Sequence, residues 1–204
     1  MKSTRTLIRR TVAVTVAGAA AFVLAACGGE GSTGHGGGHT STSPSAEQSK
    51  QNAADVAFAQ GMIPHHRQAV EMAQLAPERA RSTELKQLAE QIQKAQDPEI
   101  KTLSGWLTSW GEEVPAEGAS GHAGHGGTAG MMTGQEMTEL ENASGKAFDT
   151  AYMELMIKHH EGAVAMAKTE QAEGAYAPAK KMADAIVTSQ SDEIERMNTM
   201  LGKD

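Results

Sequence analysis

Apolar residues recur at helical spacing along much of the chain. One apolar stripe, with residues three or four positions apart over most of its length, runs from Leu85 to Leu107, and a second runs from Met182 to Leu201. This spacing places the apolar side chains on one face of an amphipathic helix. The alternation of apolar and polar residues that indicates a strand is absent, and Val and Ile are sparse. The pattern therefore predicts an all-α protein.

The stretch from Asp149 to Lys168 repeats an earlier stretch, from Asp55 to Gln74, at a constant offset of 94 residues. Each copy carries a His-His pair that begins three residues after a methionine. An internal repeat of this kind indicates a duplicated structural unit, here of two helices. The matching residues are Met62, His65 and His66 in the first copy and Met156, His159 and His160 in the second.

Two such units provide four long amphipathic helices, which predicts a four-helix bundle. Thr133 and Glu136 fit a capping box and predict a short additional helix. Pro98 leaves open whether the second long helix is divided in two. The long helices are expected over about Ala46 to Ala76, Ser82 to Trp110, Ser144 to Gly174 and Pro178 to Leu201.

The N-terminal region has the organisation of a secretory signal. A basic segment that contains Arg9 and Arg10 precedes the apolar run from Thr11 to Leu24. The sequence Leu-Ala-Ala-Cys that ends at Cys27 resembles the lipobox of bacterial lipoproteins, in which the cysteine is lipidated. We therefore expect a signal peptide over residues 1–26, a flexible Gly/Ser/His tether over 27–54, and the bundle over 55–204 with a mobile linker at 111–132.

The charge of the chain restricts its partners. Removal of the signal lowers Lys plus Arg from 18 to 14 against 25 acidic residues, so the mature chain carries about 11 net negative charges. This balance argues against nucleic-acid binding and against attachment to anionic lipid by charge. We expect attachment through lipidated Cys27, on the extracytoplasmic face of the membrane. With its single cysteine lipidated, the protein would have no thiolate for a metal site.

The two His-His pairs are the strongest candidates for chemistry. On a helical wheel both histidines of each copy flank the centre of the apolar face, which should turn into the bundle. Buried imidazoles need a partner, either a metal ion or a carboxylate. The candidate carboxylates that recur in both repeats are Asp55, Asp149, Glu99 and Glu193.

Imidazole and thioether ligands together favour copper, above all Cu(I), although another transition metal remains possible. A di-iron centre would need Glu-x-x-His, which is absent at both pairs. His122, His125, Met131 and Met132 in the linker are further candidates, for capturing or handing over metal. The predicted ligands are His65, His66, His159, His160, Met62, Met156, Met72 and Met166.

Two other functions remain open. The His-His pairs can be structural groups in an envelope interaction module, or the protein can be a metal oxidase, which the missing Glu-x-x-His argues against. The sequence contains no motif for a nucleophile, a phosphate-binding loop or a zinc protease, so we expect no enzyme activity.

Both copies resemble the family known as domain of unknown function 305 (DUF305), over about Asp55 to Leu201. The resemblance rests on the Met-x-x-His-His motif with its flanking residues and on Gln-x-x-Glu-Ile, which begins at Gln96 and again at Gln190. It implies a ferritin-like helical bundle that is exported and often lipid-anchored. It also implies, for some members, copper binding through Met and His. The chain departs from the family pattern by Pro64 and by its long linker.

Overall fold

The computed structural model describes residues 50–118 and 129–203. Within these ranges the protein is entirely helical, with five α-helices and no strand, which confirms the predicted all-α class. The signal segment, Cys27 and the linker histidines His122 and His125 lie outside the described residues. The helices are α1 (Ala53–Arg79), α2 (Thr83–Trp110), α3 (Gly134–Asn142), α4 (Gly145–Glu173) and α5 (Ala177–Leu201).

Helix α1 begins at Ala53, later than the predicted start at Ala46. The side chain of Asn52 accepts hydrogen bonds from the backbone N–H groups of Ala54 (2.8 Å) and Asp55 (3.1 Å). Asp55 in turn accepts from the backbone N–H of Asn52 at 2.6 Å, which completes a capping box. This reciprocal cap satisfies the first free amides of the helix and fixes its start.

Prolines end neither of the first two helices. Helix α1 continues past Pro77 to Arg79, and α2 is a single helix that contains Pro98. A proline removes only its own backbone donor, and the next turn can still form its hydrogen bonds. The predicted capping box at Thr133 is confirmed, whereas Ser144 precedes α4 without a side-chain capping bond.

The long helices α1 and α4 of the two repeats pack against each other in antiparallel orientation. At one end the side-chain amide of Asn52 donates to the carbonyl of Glu173 at 2.8 Å. At the other end Asp149, at the start of α4, accepts from the backbone of Arg81 and Ser82 beyond the end of α1, at 2.9 and 3.0 Å. Helices α2 and α5 pack on α1 and α4 respectively. The repeats are therefore related by an approximate twofold axis.

The apolar core consists of two clusters. The first half of α1, including Phe58 and Met62, shares a cluster with the second half of α4, including Ala163. The second half of α1, including Met72, shares the other cluster with the first half of α4, including Met156. The His-His pairs lie in the middle of α1 and α4, between the residues that each helix contributes to the two clusters. We call this level the His layer, formed by His65, His66, His159 and His160.

Among the described residues, none of the helices is both long enough and apolar enough to cross a membrane.

Candidate metal centre

All four side chains of the His layer are completely buried, with no solvent-exposed surface. The rings of His65 and His159 meet where α1 crosses α4, with ring centroids 3.7 Å apart and planes inclined by 43°. His65 and His159 occupy the same position in the two repeats, so they lie on either side of the approximate twofold axis. The structure thus brings together the predicted imidazoles of both repeats at the centre of the core.

Each second histidine of a pair contacts a glutamate from the neighbouring helix of its own repeat. Nε2 of His66 lies 2.7 Å from a carboxylate oxygen of Glu99 on α2. Nε2 of His160 lies 2.6 Å from a carboxylate oxygen of Glu193 on α5. The separation along the chain is 33 residues in both cases, so the duplication reproduces the pair. The glutamate side chains are partly exposed and reach the buried rings from the surface side.

His65 has a different partner, a backbone carbonyl, which the sequence did not predict. Its Nε2 lies 3.2 Å from the backbone carbonyl oxygen of Ala129. Ala129 begins a short segment, residues 129–132, that lies against α1 and α4 and that we call the strap. His159, the counterpart of His65, has no hydrogen bond of normal geometry at either ring nitrogen among the residues that the structure describes, although the backbone of His65 is close enough to oppose part of the lowering of its pKa.

The strap contacts both copies of one repeat position, and the residue at that position differs between the repeats. On α1, the side-chain amide of Gln68 donates to the carbonyl of Met132 at 3.0 Å and accepts from its N–H at 2.6 Å. On α4, the equivalent residue is Gly162, and a Cβ there would collide with the carbonyl oxygen of Ala129. Gly130 has φ +80°, and a Cβ there would lie 2.5 Å from the carbonyl oxygen of Lys158. Backbone contact this close requires glycine.

The strap also determines where two linker methionines lie. Met132 is buried and packs in the same cluster as Met72, whereas Met131 is half-buried. Because the strap lies on the bundle, at least this end of the predicted linker has fixed contacts. The start of the linker does too, since Arg67 donates to the carbonyls of Pro115 and Ala116 at 2.7 and 3.0 Å.

Burial keeps the central rings neutral. It lowers the pKa of His65 to about 3, with a further contribution from neighbouring His66, and the hydrogen bond to the Ala129 carbonyl only partly opposes this. Burial and the nearby His65 likewise hold the pKa of His159 well below its ordinary value. Neutral imidazole is the form that can bind a metal ion. Both rings are therefore in the ligating form at neutral pH.

Several polar atoms in the His layer and beside it are buried without a partner. Five of the eight ring nitrogens of the His layer have no hydrogen-bond partner within residues 50–118 and 129–203. The side-chain carbonyl oxygens of Gln96 and Gln190, which also match between the repeats, have none either. Buried polar groups are normally satisfied, so this cluster needs an explanation. The five nitrogens are His65 Nδ1, His66 Nδ1, His159 Nδ1, His159 Nε2 and His160 Nδ1.

The predicted thioether ligands do not all share one environment. Met62 and Met156 are fully buried, each one helical turn before its His-His pair. Met72 is also fully buried, but its counterpart Met166 is half-buried at the edge of a cluster. Met62 and Met156 belong to different apolar clusters, on the two sides of the His layer.

Two predicted carboxylates have a different role. Asp55 accepts from the backbone N–H of Tyr176 at 2.9 Å and Asp149 from that of Ser82 at 3.0 Å. Each aspartate therefore caps the turn between the helices of the other repeat, where free helix-terminal amides need an acceptor. These contacts place both carboxylates at the bundle ends, far along the helices from the His layer. Glu99 and Glu193 alone among the four predicted carboxylates contact histidines there.

No group of three or more His, Cys, Asp or Glu side chains in the described part of the chain is arranged as a ready metal cage. The Nε2 atoms of His66 and His160 are already hydrogen-bonded to Glu99 and Glu193. Imidazoles alone therefore do not complete a ligand set in this conformation, and the thioethers of Met62 and Met156 are the nearest soft donors in the sequence.

Solved structures similar to this chain include copper-bound ones. CopM is 33% identical in its Cu(I)-bound form and 35% in its Cu(II)-bound form, with TM-scores of 0.60 and 0.62. In both alignments 72% of this chain and 94% of CopM are covered. Silver-bound forms of CopM, obtained by soaking and by co-crystallisation, are also similar to this chain.

Two further solved structures carry the family name. A DUF305 protein from Streptomyces coelicolor is 33% identical, with a TM-score of 0.66 over 74% of this chain and 91% of its own. A DUF305 fragment from Deinococcus radiodurans is 30% identical, also with a TM-score of 0.66, over 74% of this chain and 97% of its own. Among curated protein sequences none matches significantly. The sequence model described as domain of unknown function (DUF305) matches residues 55–201, and the chain belongs to this family.

Proposed function

We propose that this protein binds copper, with a preference for Cu(I), at the His layer where α1 crosses α4. The observation that carries the proposal is the group of five buried imidazole nitrogens without partners. Each such atom costs on the order of 1–3 kcal/mol when left unsatisfied, and a metal ion uses a ring lone pair directly. The copper-bound CopM structures, at 33 and 35% identity, support the same cargo here.

The preference for Cu(I) rests on the thioethers. Met62 and Met156 are fully buried one helical turn before their His-His pairs, and soft thioether sulfur suits Cu(I) better than zinc or iron. Met72 is a further buried donor on α1, and the half-buried Met166 is the weakest candidate of the four. The central rings are neutral, so copper need not displace protons from them.

The biological role that follows is buffering, scavenging or chaperoning of copper, without enzyme activity. In this proposal the helices form a ferritin-like four-helix bundle, which the antiparallel crossing of two helix pairs supports. The bundle would be attached to the extracytoplasmic face of the membrane through lipidated Cys27, as the lipobox-like sequence suggests. His122, His125 and Met131 in the linker would serve to capture or hand over the ion.

Replacing Met62 and Met156 together by leucine is expected to weaken Cu(I) binding at least tenfold, about 1.4 kcal/mol. Leucine keeps similar volume, so the fold should lose less than about 1.5 kcal/mol per site. The measurement is a Cu(I) titration of the purified protein against a competing chelator. Met197→Leu is the matched control, because Met197 is buried in α5 and its counterpart in the first repeat is already Leu103.

The control should bind Cu(I) as tightly as the unmodified protein. If the Met62→Leu/Met156→Leu protein also binds with unchanged affinity, the thioethers are not ligands and the basis for a Cu(I) preference is lost. One observation favours the alternative of a structural role: His66 and His160 already have glutamate partners. An absence of copper binding in the unmodified protein would support that alternative, an envelope interaction module.

A further inference from the structure

The partners of the second histidines determine which ring nitrogen carries a proton. Nε2 of His66 faces a carboxylate oxygen of Glu99 at 2.7 Å, and Nε2 of His160 faces one of Glu193 at 2.6 Å. An ionised carboxylate has lone pairs and no proton to donate. At these distances the interaction is a hydrogen bond only if Nε2 carries the hydrogen and donates it.

The same reasoning applies to His65 with a different acceptor. Its Nε2 lies 3.2 Å from the backbone carbonyl oxygen of Ala129, which can only accept. The Ala129 carbonyl therefore requires a hydrogen on Nε2, whereas the buried Nδ1 has no acceptor for one among the described residues. The Nδ1 atom then has a free lone pair.

The surroundings of the Nδ1 atoms support this assignment. Nδ1 of His65, His66 and His160 is buried, and none of the three has an acceptor for a hydrogen among the described residues. A proton on Nδ1 would therefore be a buried N–H without a partner, which is rare in folded proteins. A lone pair at the same position is available to a metal ion.

We infer that Glu99, Glu193 and the Ala129 carbonyl are positioning groups, which hold their histidines as Nε2–H tautomers and make Nδ1 the atom that binds metal. The inference rests on the proposed copper function and specifies its ligand atoms. In metal sites the second nitrogen of a ligating histidine almost always donates to a carboxylate, a carbonyl or water, which fixes the ring and its tautomer. Here those hydrogen bonds exist before any metal binds.

His159 is the exception. Neither of its ring nitrogens has a hydrogen bond of normal geometry or a contact with the strap among the described residues, and its ring packs 3.7 Å from that of His65, centroid to centroid. The strap supplies an acceptor to His65 alone, so the two halves of the site are not equivalent. His159 can therefore bind metal through either nitrogen, whereas the other three histidines have only Nδ1 available.

The test is nitrogen NMR of the histidine side chains in uniformly ¹⁵N-labelled, metal-free protein near pH 7. Two-bond couplings to the ring carbon-bound protons distinguish a protonated from an unprotonated nitrogen. We expect Nε2–H and unprotonated Nδ1 at His65, His66 and His160. A proton on Nδ1 of His66 or His160, with or without one on Nε2, would overturn the inference without any reference to metal binding.

Silver then tests the ligand atoms, because Ag(I) is diamagnetic and resembles Cu(I) in its ligand preference. Addition of Ag(I) is expected to shift the Nδ1 resonances of the three histidines and to leave the Nε2–H couplings intact. Loss of the Nε2–H signals on silver binding would contradict the inference but leave metal binding by the protein established. An absence of any silver-dependent change, with the tautomers as expected, would instead overturn the proposed function.

Two double variants distinguish a positioning role of Glu99 and Glu193 from a purely structural role. Glu99→Gln with Glu193→Gln keeps an acceptor oxygen for each ring, so the tautomer should be retained and Ag(I) affinity should change less than about threefold, under 0.7 kcal/mol. Glu99→Ala with Glu193→Ala removes the acceptors, so mixed tautomers and an affinity loss of at least tenfold are expected. Equal affinities for the glutamine and alanine proteins, both checked as helical, would overturn the positioning role.

Discussion

Gly162→Ala should destabilise the protein by about 2 kcal/mol, because it expels the strap from the bundle. The new Cβ would collide with the carbonyl oxygen of Ala129 and would approach the Cα of Gly130 to 3.0 Å. These neighbours are backbone atoms, which cannot rotate away as the end of a flexible side chain can. The strap must therefore move as a unit.

Displacement of the strap removes several interactions at once. The two hydrogen bonds between Gln68 and Met132 are lost, together with the bond from His65 to the Ala129 carbonyl. Met132 also leaves its buried position. Alanine stabilises a helix relative to glycine by up to about 1 kcal/mol, which offsets part of this loss.

Gly105→Ala is the matched control for Gly162→Ala. Gly105 is exposed in the interior of α2, and a Cβ there would meet no atom within 4 Å. The control should be unchanged in stability or more stable by up to about 1 kcal/mol. Urea unfolding of both proteins measures the difference. If Gly162→Ala is as stable as Gly105→Ala, the strap does not bind the bundle as described.

The metal-free protein should be most stable near pH 6.5, and its free energy of unfolding should fall on both sides of that value. Two kinds of buried group act in opposite directions. The pKa of His65 is lowered to about 3 by burial, and that of His159 is also lowered by burial. The pKa of Glu170 is raised to about 8, by burial and by the adjacent carboxylate of Asp55.

The histidines cause the loss of stability in acid. When the pH falls below about 6.5, the pKa of histidine in the unfolded chain, the unfolded chain binds protons at His65 and His159 that the folded protein does not bind. Each such group lowers the free energy of unfolding by about 1.4 kcal/mol per pH unit. Two histidines outweigh the opposite effect of one Glu170, so stability falls as the pH decreases from about 6.5 to 5.

Glu170 causes the loss of stability in base. Its side chain is buried beside Asp55, and as a carboxylate it would have no donor among the described residues. The folded protein keeps Glu170 protonated up to about pH 8, whereas the unfolded chain loses that proton near pH 4.5. The unfolded state therefore binds fewer protons in this window, and stability decreases as the pH rises from 6.5 to 8.

The measurement is urea unfolding of metal-free protein between pH 5 and 9. Glu170→Gln should remove the decrease above pH 6.5 and steepen the loss between about pH 6.5 and 5, because Glu170 no longer opposes the two histidines. A second variant, Glu170→Ala, introduces the residue found at the equivalent position, Ala76, and should do the same. A decrease above pH 6.5 that persists in both variants would show that Glu170 is not its cause.

The repeat made most of the architecture predictable. Because both copies carry the His-His pair on the apolar face of a helix, the sequence predicted that the pairs would meet in the core if the two repeats packed about a twofold axis. The pairing of His66 with Glu99 also repeats at His160 and Glu193, so the candidates could be recognised. What the sequence could not supply was which carboxylate reaches which ring.

Asp55 and Asp149 show why recurrence in the two repeats could not assign the carboxylates to the rings. Both recur in the two repeats, as Glu99 and Glu193 do, yet they cap the turns of the opposite repeat. Their role depends on the antiparallel packing of α1 and α4, and the sequence did not distinguish antiparallel from parallel. Recurrence indicated that these residues matter without indicating whether they serve the core or the helix ends.

The features that escaped sequence analysis lie where the repeats differ. Gln68 in the first repeat corresponds to Gly162 in the second, and the two residues together hold the strap. Glu170 in the second repeat corresponds to Ala76 in the first. These differences were visible in the sequence, but their meaning depends on a contact with the linker or with the other repeat. Positions that break an otherwise regular duplication are therefore the ones to examine for asymmetric contacts.

The central claim is that the His layer binds copper, and a Cu(I) titration against a competing chelator tests it most directly. The unmodified protein is compared with a variant in which His65, His66, His159 and His160 are all asparagine, after its helical content has been confirmed. The account predicts tight binding by the unmodified protein and its loss in the folded variant. Equal Cu(I) affinity in the two proteins would contradict the account, because the binding site would then lie outside the His layer.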